Sequence, residues 1–391
     1  MILSAQAKKL YADTFGNEDG ISIFYSHGRL ELLGNHTDHQ GGTCLVAGCD
    51  LGITAAVRPN PDGAIRVISE GYAPFLFHLD ELALKKGETG TTISLFKGVI
   101  ARMKHLGYKV GGFTAALRSD LPAGSGLSSS AALEALIAEI EDVLYNDGKI
   151  EPLTKARIGQ WAENYYFGKP CGLLDQIGVC FGGVAYVDFG KEDVFVEPFA
   201  YGLRTVPVLV NTGGTHANLT DAYASIPADM CLVAREMFGV ERLSQASERD
   251  FLARVGDPRY ASVSPKAKLR AQHYFDEVKR VEDARKALQR SDAPSFLEDV
   301  RRSQFSSQQF LGNTMVPGCY EHSPQQAVDI ANQIIGQGAA RIMGGGFAGS
   351  IICFVYPEDL ASFTAAMARY YGADNVRALS IVDGGAKQVE A

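Results

Sequence analysis

The stretch Leu121-Pro-Ala-Gly-Ser-Gly-Leu-Ser-Ser-Ser-Ala-Ala-Leu133 joins two glycines and three serines to a run of helix-forming residues. Gly124 and Gly126 have no β-carbon, so the backbone there can bend sharply and approach a ligand closely. Apolar residues then recur at helical spacing, which predicts a helix from Ser128 to Tyr145. A helix start presents unpaired N–H groups and the positive end of its dipole. The stretch is therefore typical of a polyphosphate site, although glycine- and serine-rich turns also precede ordinary helices.

A second cluster of small and polar residues lies in Gly28-Arg-Leu-Glu-Leu-Leu-Gly-Asn-His-Thr-Asp-His-Gln-Gly-Gly42. Asn35, His36 and Asp38 fall on a predicted tight turn, where their side chains can converge on one small ligand. Amide and carboxylate groups suit the hydrogen bonds of neighbouring sugar hydroxyls. The same residues leave open a plain polar loop, or a cation site formed by His36, Asp38 and His39.

Two further segments contain candidate chemistry. Glu163 and Asp175 are carboxylates twelve residues apart, and Asp175 lies among apolar residues in Cys-Gly-Leu-Leu-Asp-Gln-Ile-Gly. An acid in apolar surroundings is rare unless it is paired or functional, or caps a helix. The run Arg341-Ile-Met-Gly-Gly-Gly-Phe-Ala-Gly-Ser350 precedes an apolar strand, a pattern that a tight turn alone also produces.

These segments resemble the GHMP kinases, and within them the galactokinase branch. The first is similar to Leu-Pro-x-Gly-x-Gly-Leu-Ser-Ser-Ser-Ala, the second to Gly-Arg-Val-Asn-Leu-Ile-Gly-Glu-His-Thr-Asp-Tyr, and the last to Gly-Gly-Gly-Phe-Gly-Gly. The segment around Asp175 resembles Pro-Cys-Gly-x-x-Asp-Gln. The resemblance implies an α+β, two-lobed GHMP kinase fold with the active site between the lobes. It also implies ATP and Mg²⁺ as cofactors, and transfer of the ATP γ-phosphoryl group to the anomeric hydroxyl of galactose.

The resemblance also implies roles for individual residues. Asp175 is the implied base, and Arg29 is the implied cation beside it and the transferring phosphate. Ser130 and Glu163 are the implied ligands of Mg²⁺. The implied nucleotide contacts are Ser69, Gly124, Ser125, Gly126, Leu127, Ser128, Ser129 and Ser130. The implied sugar contacts are Asn35, His36, Thr37, Asp38, Gly172 and Tyr223. The last ends the His216–Tyr223 region, which keeps the family spacing, although its His216–Leu219 part is one residue longer than the family pattern.

The chain departs from the galactokinase pattern at the sugar. Galactokinases usually carry Glu where this chain has Asn35, and Tyr where it has His39. These departures resemble galacturonokinases, since a glutamate would repel the carboxylate of a uronic acid while an amide or histidine can bond it. The segment Gly312–Tyr320 replaces the usual acidic substrate loop. Galactose, galacturonate and other galacto-configured sugars therefore stay open as substrates, and so does a sugar and ATP sensor without catalysis.

Composition is typical of an acidic globular protein with a large core. The 391 residues are 46% hydrophobic and carry a net charge of −8. The absence of a basic stripe argues against nucleic acid as a partner, and the absence of a long apolar run argues against a membrane span. Seven scattered cysteines and an N-terminus unlike a signal peptide favour a cytoplasmic location. A monomer and a homodimer are both left open.

The pattern of helices and strands predicts two units. We expect an N-terminal domain at residues 1–195, with the nucleotide loop and the base, and a C-terminal domain at residues 196–391. The resemblance leaves open a last strand that packs on the N-terminal lobe. The predicted strands of the first unit are Ile21–Tyr25, Ile53–Val57, Ile65–Ile68, Gly111–Leu117 and Val184–Phe189. Its predicted helices are Ile93–Leu106, Ser128–Tyr145 and Leu153–Phe167.

Overall fold

The computed structural model describes residues 2–16, 19–122, 124–214 and 219–390. Its α-helices are α1 (Ile2–Phe15), α2 (Thr92–His105), α3 (Ser129–Tyr145), α4 (Pro152–Ala162), α5 (Leu174–Phe181), α6 (Thr220–Val233), α7 (Glu248–Arg254), α8 (Pro265–Gln289), α9 (Ala293–Ser306), α10 (Pro324–Ile334) and α11 (Leu360–Tyr371). Its strands are β1 (Ser22–Leu33), β2 (Thr43–Asn60), β3 (Ala64–Ser69), β4 (Phe75–His78), β5 (Gly112–Ser119), β6 (Val184–Asp188), β7 (Phe195–Phe199), β8 (Val206–Asn211), β9 (Ala339–Ile342), β10 (Ser350–Val355), β11 (Val376–Ala378) and β12 (Lys387–Val389).

The first lobe is built on an eight-stranded sheet in the order β12-β1-β2-β5-β3-β4, with β6 and β7 joined to it through β2. The long strand β2 serves two neighbours, because its first part pairs with β6 and its second part with β5. Helices α2 to α5 cover one face of this sheet. Their apolar residues and those of the strands form one large core, which includes Phe96, Leu136 and Ile177.

The second lobe is built on a four-stranded sheet in the order β11-β8-β10-β9. Helices α10 and α11 pack on one side of it around Val210, Cys353 and Phe363. Helices α6 to α8 form a separate core with part of the segment Arg341–Ser350, called here the glycine segment, which includes Phe347. The two sheets in two lobes agree with the predicted α+β class.

A further apolar core joins the two lobes. Leucines of β1 and β2 pack there with residues of α8, α9 and β10, such as Val281, Phe296 and Phe354. Burial of this kind stabilises the arrangement by roughly 25 cal/mol per Å² of apolar surface. The core therefore fixes the position of β1 relative to the second lobe. Within the described ranges, no helix has the length and apolarity to cross a bilayer.

Several element bounds differ from the sequence-based expectations. The strand predicted at Ile21–Tyr25 continues to Leu33, so Arg29 lies inside β1 and not after it. Register shifts at His27/Arg29 and Glu31/Leu33 allow this, because each is an irregularity that lets a polar residue enter the strand. The division at residue 195 falls within β7, which pairs with β6 in the first sheet, and β12 pairs with β1.

Candidate active site

Asp175 lies in the first turn of α5 and accepts hydrogen bonds on both carboxylate oxygens. Arg29 approaches Oδ1 with Nε and Nη2, each at 2.7 Å, and the Ser128 hydroxyl donates to Oδ2 at 2.7 Å. The Asp175 side chain is 30% exposed. Burial opposes its ionisation, but the charge of Arg29 and the hydrogen bond from Ser128 outweigh burial and lower the pKa of Asp175. Asp175 is therefore an ionised acid that solvent can still reach.

Arg29 also bonds the loop that runs from Gly124 to Ser128, called here the glycine–serine loop, to β1. Its peptide N–H donates to the carbonyl of Leu127 at 2.9 Å, and its Nη1 donates to the carbonyl of Gly126 at 2.5 Å. The neighbouring Gly28 allows this approach, because a β-carbon there would lie 2.9 Å from the Leu127 oxygen. One guanidinium therefore fixes both the acid and the loop.

The glycine–serine loop turns directly into α3. Gly124 and Gly126 have φ values of +67° and +72°, which suit glycine, and Ser128 has the left-handed φ of +59°. Helix α3 begins at Ser129, so the helix start predicted at the serines is confirmed. Ser125 is buried, and so is the neighbouring leucine at 127. The loop thus directs the N-terminus of a 17-residue helix towards the space beside Asp175.

Glu163 lies in the π-helical turn Glu163–Phe167 that ends α4, and it is 1% exposed. The Ser130 hydroxyl donates to its Oε1 at 3.0 Å, and the Lys169 ammonium contacts the same oxygen at 3.2 Å. Gln176 donates to Oε2 at 2.9 Å and to Glu134 at 3.0 Å. Burial and the charge of Glu163 raise the pKa of Glu134 well above its usual range. The structure thus brings together Ser130 and Glu163, the two predicted metal ligands.

The turn after β1 holds four of the six predicted sugar contacts, namely Asn35, His36, Thr37 and Asp38. Thr37 is fully buried and its hydroxyl is used within the turn, since it bonds the carbonyls of Gly34 at 2.9 Å and Thr43 at 2.7 Å. His36 has a φ of +58° and its Nε2 lies 3.1 Å from the carbonyl of Gly345. Thr37 therefore braces the turn, while His36 reaches the glycine segment of the second lobe.

Asp38 and Gly172 are in direct contact. A β-carbon at Gly172 would lie 2.4 Å from Oδ2 of Asp38, so only glycine allows this approach. Burial raises the pKa of Asp38 to about 6, and the negative charges of Glu31 and Asp175 add to that rise. The structure therefore brings Asp38, Gly172 and Asp175 into one region, as the resemblance implies.

Other predicted residues lie at the edges of this region. The hydroxyl of Tyr223 donates to the carbonyl of Gly346 at 2.9 Å, and its ring packs edge-on against Phe347. Residues 215–218, at the start of the region that ends with Tyr223, lie outside the described ranges. Ser69 ends β3, where it is in register with Leu117 of β5, the strand that leads into the glycine–serine loop.

A cation site built by His36, Asp38 and His39 gains no support. Within the described ranges, no three His, Cys, Asp or Glu side chains are grouped closely enough to hold a metal ion. Burial and the neighbouring histidines lower the pKa of His39 to about 3, so its ring is neutral. Its Nε2 is buried and has no hydrogen-bond partner among the residues that the structure describes.

Comparison with known proteins agrees with this geometry. Residues 94–183 match the model of the GHMP kinases N terminal domain, and residues 9–59 match the galactokinase galactose-binding signature. The galactokinase of Lactococcus lactis strain IL1403 is 29% identical over 389 residues, covering 95% of this chain and 92% of its own length. The galactokinase of Pyrococcus furiosus is 29% identical over 352 residues, covering 88% and 92%.

Solved structures agree with the sequence matches. The crystal structure of Lactococcus lactis galactokinase complexed with galactose aligns with a TM-score of 0.85 and 26% identity over 100% of both chains. The chain is therefore similar to the GHMP kinases along its whole length. The mevalonate kinase of Methanococcus jannaschii has the same fold, with a TM-score of 0.67 at 14% identity over 94% of this chain and 100% of its own.

The sequence did not indicate several polar residues that connect the two lobes. Asn313 follows α9 and donates to Asn35 at 2.8 Å, and Arg341 of β9 forms a buried ion pair with Glu31 at 3.2 Å. His273 of α8 lies 2.9 Å from the backbone carbonyl of Asn35. One sign of an unusual polar contact here was present in the sequence, because Glu31 stands where the family pattern has Asn.

Proposed function

We propose that this protein is a galactokinase of the GHMP kinase family, which transfers the γ-phosphoryl group of ATP to the anomeric hydroxyl of galactose and yields galactose 1-phosphate and ADP. The observation that carries the proposal is the position of Asp175. This ionised acid is bonded to Arg29 and to Ser128 of the glycine–serine loop, with Asp38 nearby. Full-length similarity to several galactokinases supports the same sugar.

The glycine–serine loop is the proposed cradle for the phosphates of ATP. The first N–H groups of α3 have no partner within the helix, and the helix dipole adds partial positive charge at the same place. Gly124 and Gly126 let the backbone approach the phosphate oxygens closely. Ser69, Ser125, Leu127 and Ser129 complete the proposed nucleotide contacts.

Arg29 and Asp175 have complementary roles in the proposed transfer. The guanidinium carries a fixed positive charge beside the acid, and it stabilises negative charge on the phosphoryl group as that group moves. Its charge also makes Asp175 a weak base, because it lowers the pKa of that acid. Phosphoryl transfer passes through a loose transition state, so the attacking hydroxyl loses its proton late, when even a weak base accepts it.

Ser130 and Glu163 are the proposed ligands of Mg²⁺. Both offer hard oxygen atoms and they lie 3.0 Å apart, which fits an ion that takes few protein ligands and keeps water and phosphate oxygens. When bound, Mg²⁺ supplies charge that neutralises the phosphates of ATP. Lys169 and Gln176 hold the Glu163 carboxylate in place.

Asp38 is the proposed principal sugar contact of the turn. An ionised carboxylate accepts hydrogen bonds from two neighbouring hydroxyls, which is the pattern a hexose offers. Gly172 keeps the adjacent space free, and His36 and Tyr223 lie at the glycine segment that borders the turn. Thr37 contributes by bracing this turn.

Replacing Asp175 tests the proposal. We expect Asp175→Asn to lower kcat for galactose by about 10²–10⁴-fold, because the amide cannot accept the hydroxyl proton. Affinity for a non-hydrolysable ATP analogue should stay within about threefold. Production of ADP and galactose 1-phosphate measures the first effect, and calorimetric titration measures the second.

Two controls complete this test. Asp147→Asn changes an exposed acid far from the site and should leave turnover unchanged. A sensor without catalysis would be stabilised against thermal unfolding by ATP and galactose, yet it would release no ADP. If Asp175→Asn kept most of the turnover, the assignment of the base would be wrong.

We also propose a cytoplasmic enzyme that is a monomer or a homodimer. The seven cysteines are all free thiols, which suits a reducing compartment. Thiol titration of the unfolded protein, purified without reductant under inert gas, should therefore count seven. Sedimentation velocity distinguishes the monomer from the dimer.

A further inference from the structure

Lys169 places a positive charge on Glu163, and the proposed phosphoryl transfer gives that charge no role of its own. The Lys169 ammonium lies 3.2 Å from Oε1 of Glu163. Among the described residues, no second lysine or arginine forms an ion pair with Glu163. The charge of Lys169 also acts on Asp175 and Glu134, so it contributes to the electrostatics of the whole group of acids. The family pattern begins one residue later, at Pro170, and therefore assigns nothing to Lys169.

The backbone of Lys169 is held in place, whereas its side chain can move. Gly168 ends the π-helical turn with a left-handed φ of +82°, which turns the chain back on itself. The peptide N–H of Lys169 then donates to the carbonyl of Glu163 at 3.1 Å. The side chain is 62% exposed, and the four-carbon stem of a lysine is flexible. The ammonium can therefore leave Glu163 while the backbone stays where it is.

Oε1 of Glu163 has both of its acceptor positions in use. The Ser130 hydroxyl donates to this oxygen at 3.0 Å, and the Lys169 ammonium donates to it at 3.2 Å. A carboxylate oxygen offers two lone pairs. The other oxygen, Oε2, accepts from Gln176 at 2.9 Å. Any further group that binds Oε1 must therefore replace one of its two donors.

Ser130 and Lys169 differ in what they offer to a divalent cation. A hydroxyl has lone pairs as well as a hydrogen, so Ser130 can turn its O–H away and become a ligand. An ammonium has only hydrogens to offer, and its charge repels a second cation. A buried carboxylate is costly without an opposite charge, and Glu163 is 1% exposed. Glu163 therefore keeps one cation at a time on Oε1, either the ammonium or a metal ion.

We propose that Lys169 is an exchangeable counter-ion of Glu163, which competes with a divalent cation for Oε1 and so weakens the binding of that cation to the enzyme. The inference rests on the proposed function, because it takes Ser130 and Glu163 as the metal ligands. ATP favours the exchange, since its phosphate oxygens supply ligands to an ion that the protein holds with few of its own.

Binding of Mn²⁺ to the enzyme without nucleotide tests the competition, because Mn²⁺ prefers the same hard oxygen ligands as Mg²⁺. We expect Lys169→Met to lower the Kd for Mn²⁺ by about fivefold or more, since even an exposed ion pair contributes up to that factor and Glu163 is buried. Lys169→Arg keeps the charge and should bind Mn²⁺ no more tightly than the wild type. The free Mn²⁺ that remains in a titration, followed by its paramagnetic resonance signal, gives each Kd. Equal values for the wild type and Lys169→Met would overturn the inference.

Lys149→Met is the matched control for the change of net charge. Lys149 forms an exposed pair with Asp147 beyond the other end of α3, so its replacement removes the same charge away from Glu163. The Kd for Mn²⁺ should stay within about twofold of the wild type. If Lys149→Met tightened Mn²⁺ binding as much as Lys169→Met, net charge alone would explain the effect and the inference would fail.

A double variant separates the role of Lys169 from the assignment of the metal ligands. Adding Glu163→Gln to Lys169→Met should abolish the gain in Mn²⁺ affinity, because the amide oxygen carries no charge. A melting temperature measured for each variant shows that it is folded. If the double variant kept the gain, the ion would not bind at Glu163, and the proposed metal ligands would be wrong together with this inference. Equal Mn²⁺ affinities of the wild type and Lys169→Met, with normal turnover of galactose, would overturn the role of Lys169 alone.

Discussion

The proposed phosphate side of the site, around Asp175, and its proposed sugar side, around Asn35, are constructed in different ways. On the phosphate side, Asp175, Arg29 and Ser128 all belong to the first lobe and bond one another directly. On the sugar side, Asn35 depends on Asn313 and on a carbonyl of the glycine segment, both from the second lobe. The proposed catalytic residues are therefore held within one lobe, whereas the position of Asn35 depends on how the two lobes fit together.

Among the variants that compare the two sides, Arg29→Lys should give the largest effect, because it removes contacts of the phosphate side. A lysine can keep one contact with Asp175, but it cannot form the two-pronged contact and also reach the carbonyl of Gly126. We expect kcat to fall by about 10²–10³-fold, since one preorganised charge contact is worth that much. Steady-state assays at saturating ATP and galactose measure the loss.

The matched control for Arg29→Lys lies on the surface. Arg66 forms a similar two-pronged contact with Asp62, and both side chains are partly exposed. Arg66→Lys should leave kcat unchanged and should change stability by less than about 1 kcal/mol. Equal losses in both variants would mean that Arg29 acts through general stability and not through the site.

Gly346→Ala should disturb the contact between the glycine segment and Asn313 on the sugar side. Its φ is +80°, and a β-carbon there would lie 2.2 Å from the backbone oxygen of Asn313. The left-handed backbone costs about 1–2 kcal/mol for alanine, and the overlap costs roughly 1–3 kcal/mol more. We expect a lower melting temperature and a KM for galactose raised by at least tenfold, with KM for ATP changed far less.

Gly344→Ala is the matched control for that overlap. Gly344 has a similar φ of +69°, but a β-carbon there would meet nothing within 4 Å. The variant should therefore show the backbone cost alone, with a KM for galactose within about threefold of the wild type. If the two variants behave alike, the contact with Asn313 does not determine the sugar side.

The pH dependence of kcat/KM should distinguish Asp38 on the sugar side from Asp175 on the phosphate side. Burial and two neighbouring carboxylates raise the pKa of Asp38 to about 6, whereas Arg29 and Ser128 lower the pKa of Asp175. As the pH falls below 6, Asp38 gains a proton and loses its capacity to accept two hydroxyl hydrogens, while Asp175 stays ionised. We expect kcat/KM for galactose to fall about tenfold per pH unit there, as a single titration requires.

Asp38→Asn provides the control for this titration. The variant should have a lower kcat/KM at every pH and no inflection near pH 6, because its side chain does not titrate. A profile that is flat down to pH 5 in the wild type, or an inflection that survives in Asp38→Asn, would contradict the assignment.

Tyr223→Phe should give the smallest effect. It removes the hydrogen bond to the carbonyl of Gly346 but keeps the ring against Phe347. A hydrogen bond of this kind contributes about 0.5–1.5 kcal/mol, so KM for galactose should rise by roughly two- to tenfold. Tyr320→Phe removes an exposed hydrogen bond to Asp329 and should leave KM unchanged. A rise of more than 100-fold for Tyr223→Phe would indicate direct sugar contact.

The glycine–serine loop of the phosphate side could be predicted from the sequence because its residues are contiguous, whereas the contact between Arg29 and Asp175, 146 positions apart, followed only from the resemblance. Glycines followed by serines and a helical apolar pattern indicate both the loop and the start of α3, and the structure places both there. The helix that carries Asp175 was not predicted, because α5 is eight residues long and almost wholly apolar. A short apolar run does not distinguish a buried helix from a buried strand.

The sugar side was less accessible because its partners are far apart along the chain. Asn35 and Asn313 are separated by 278 positions, and Glu31 and Arg341 by 310. No local periodicity connects such residues, so their contact depends on the packing of the two lobes. Glu31 was visible as a departure from the family pattern, yet its meaning required the position of Arg341.

The pairing of β12 with β1 has a consequence for the order in which the sheet folds. Lys387–Val389 pairs with Ile23–Tyr25, and the carbonyl of Gly384 is bonded to His27 of β1, 357 positions away. A contact between residues so far apart in sequence costs loop-closure entropy before it contributes stability. The sheet that carries Arg29 therefore gains its edge strand late in folding, after the local hairpins of that sheet have formed.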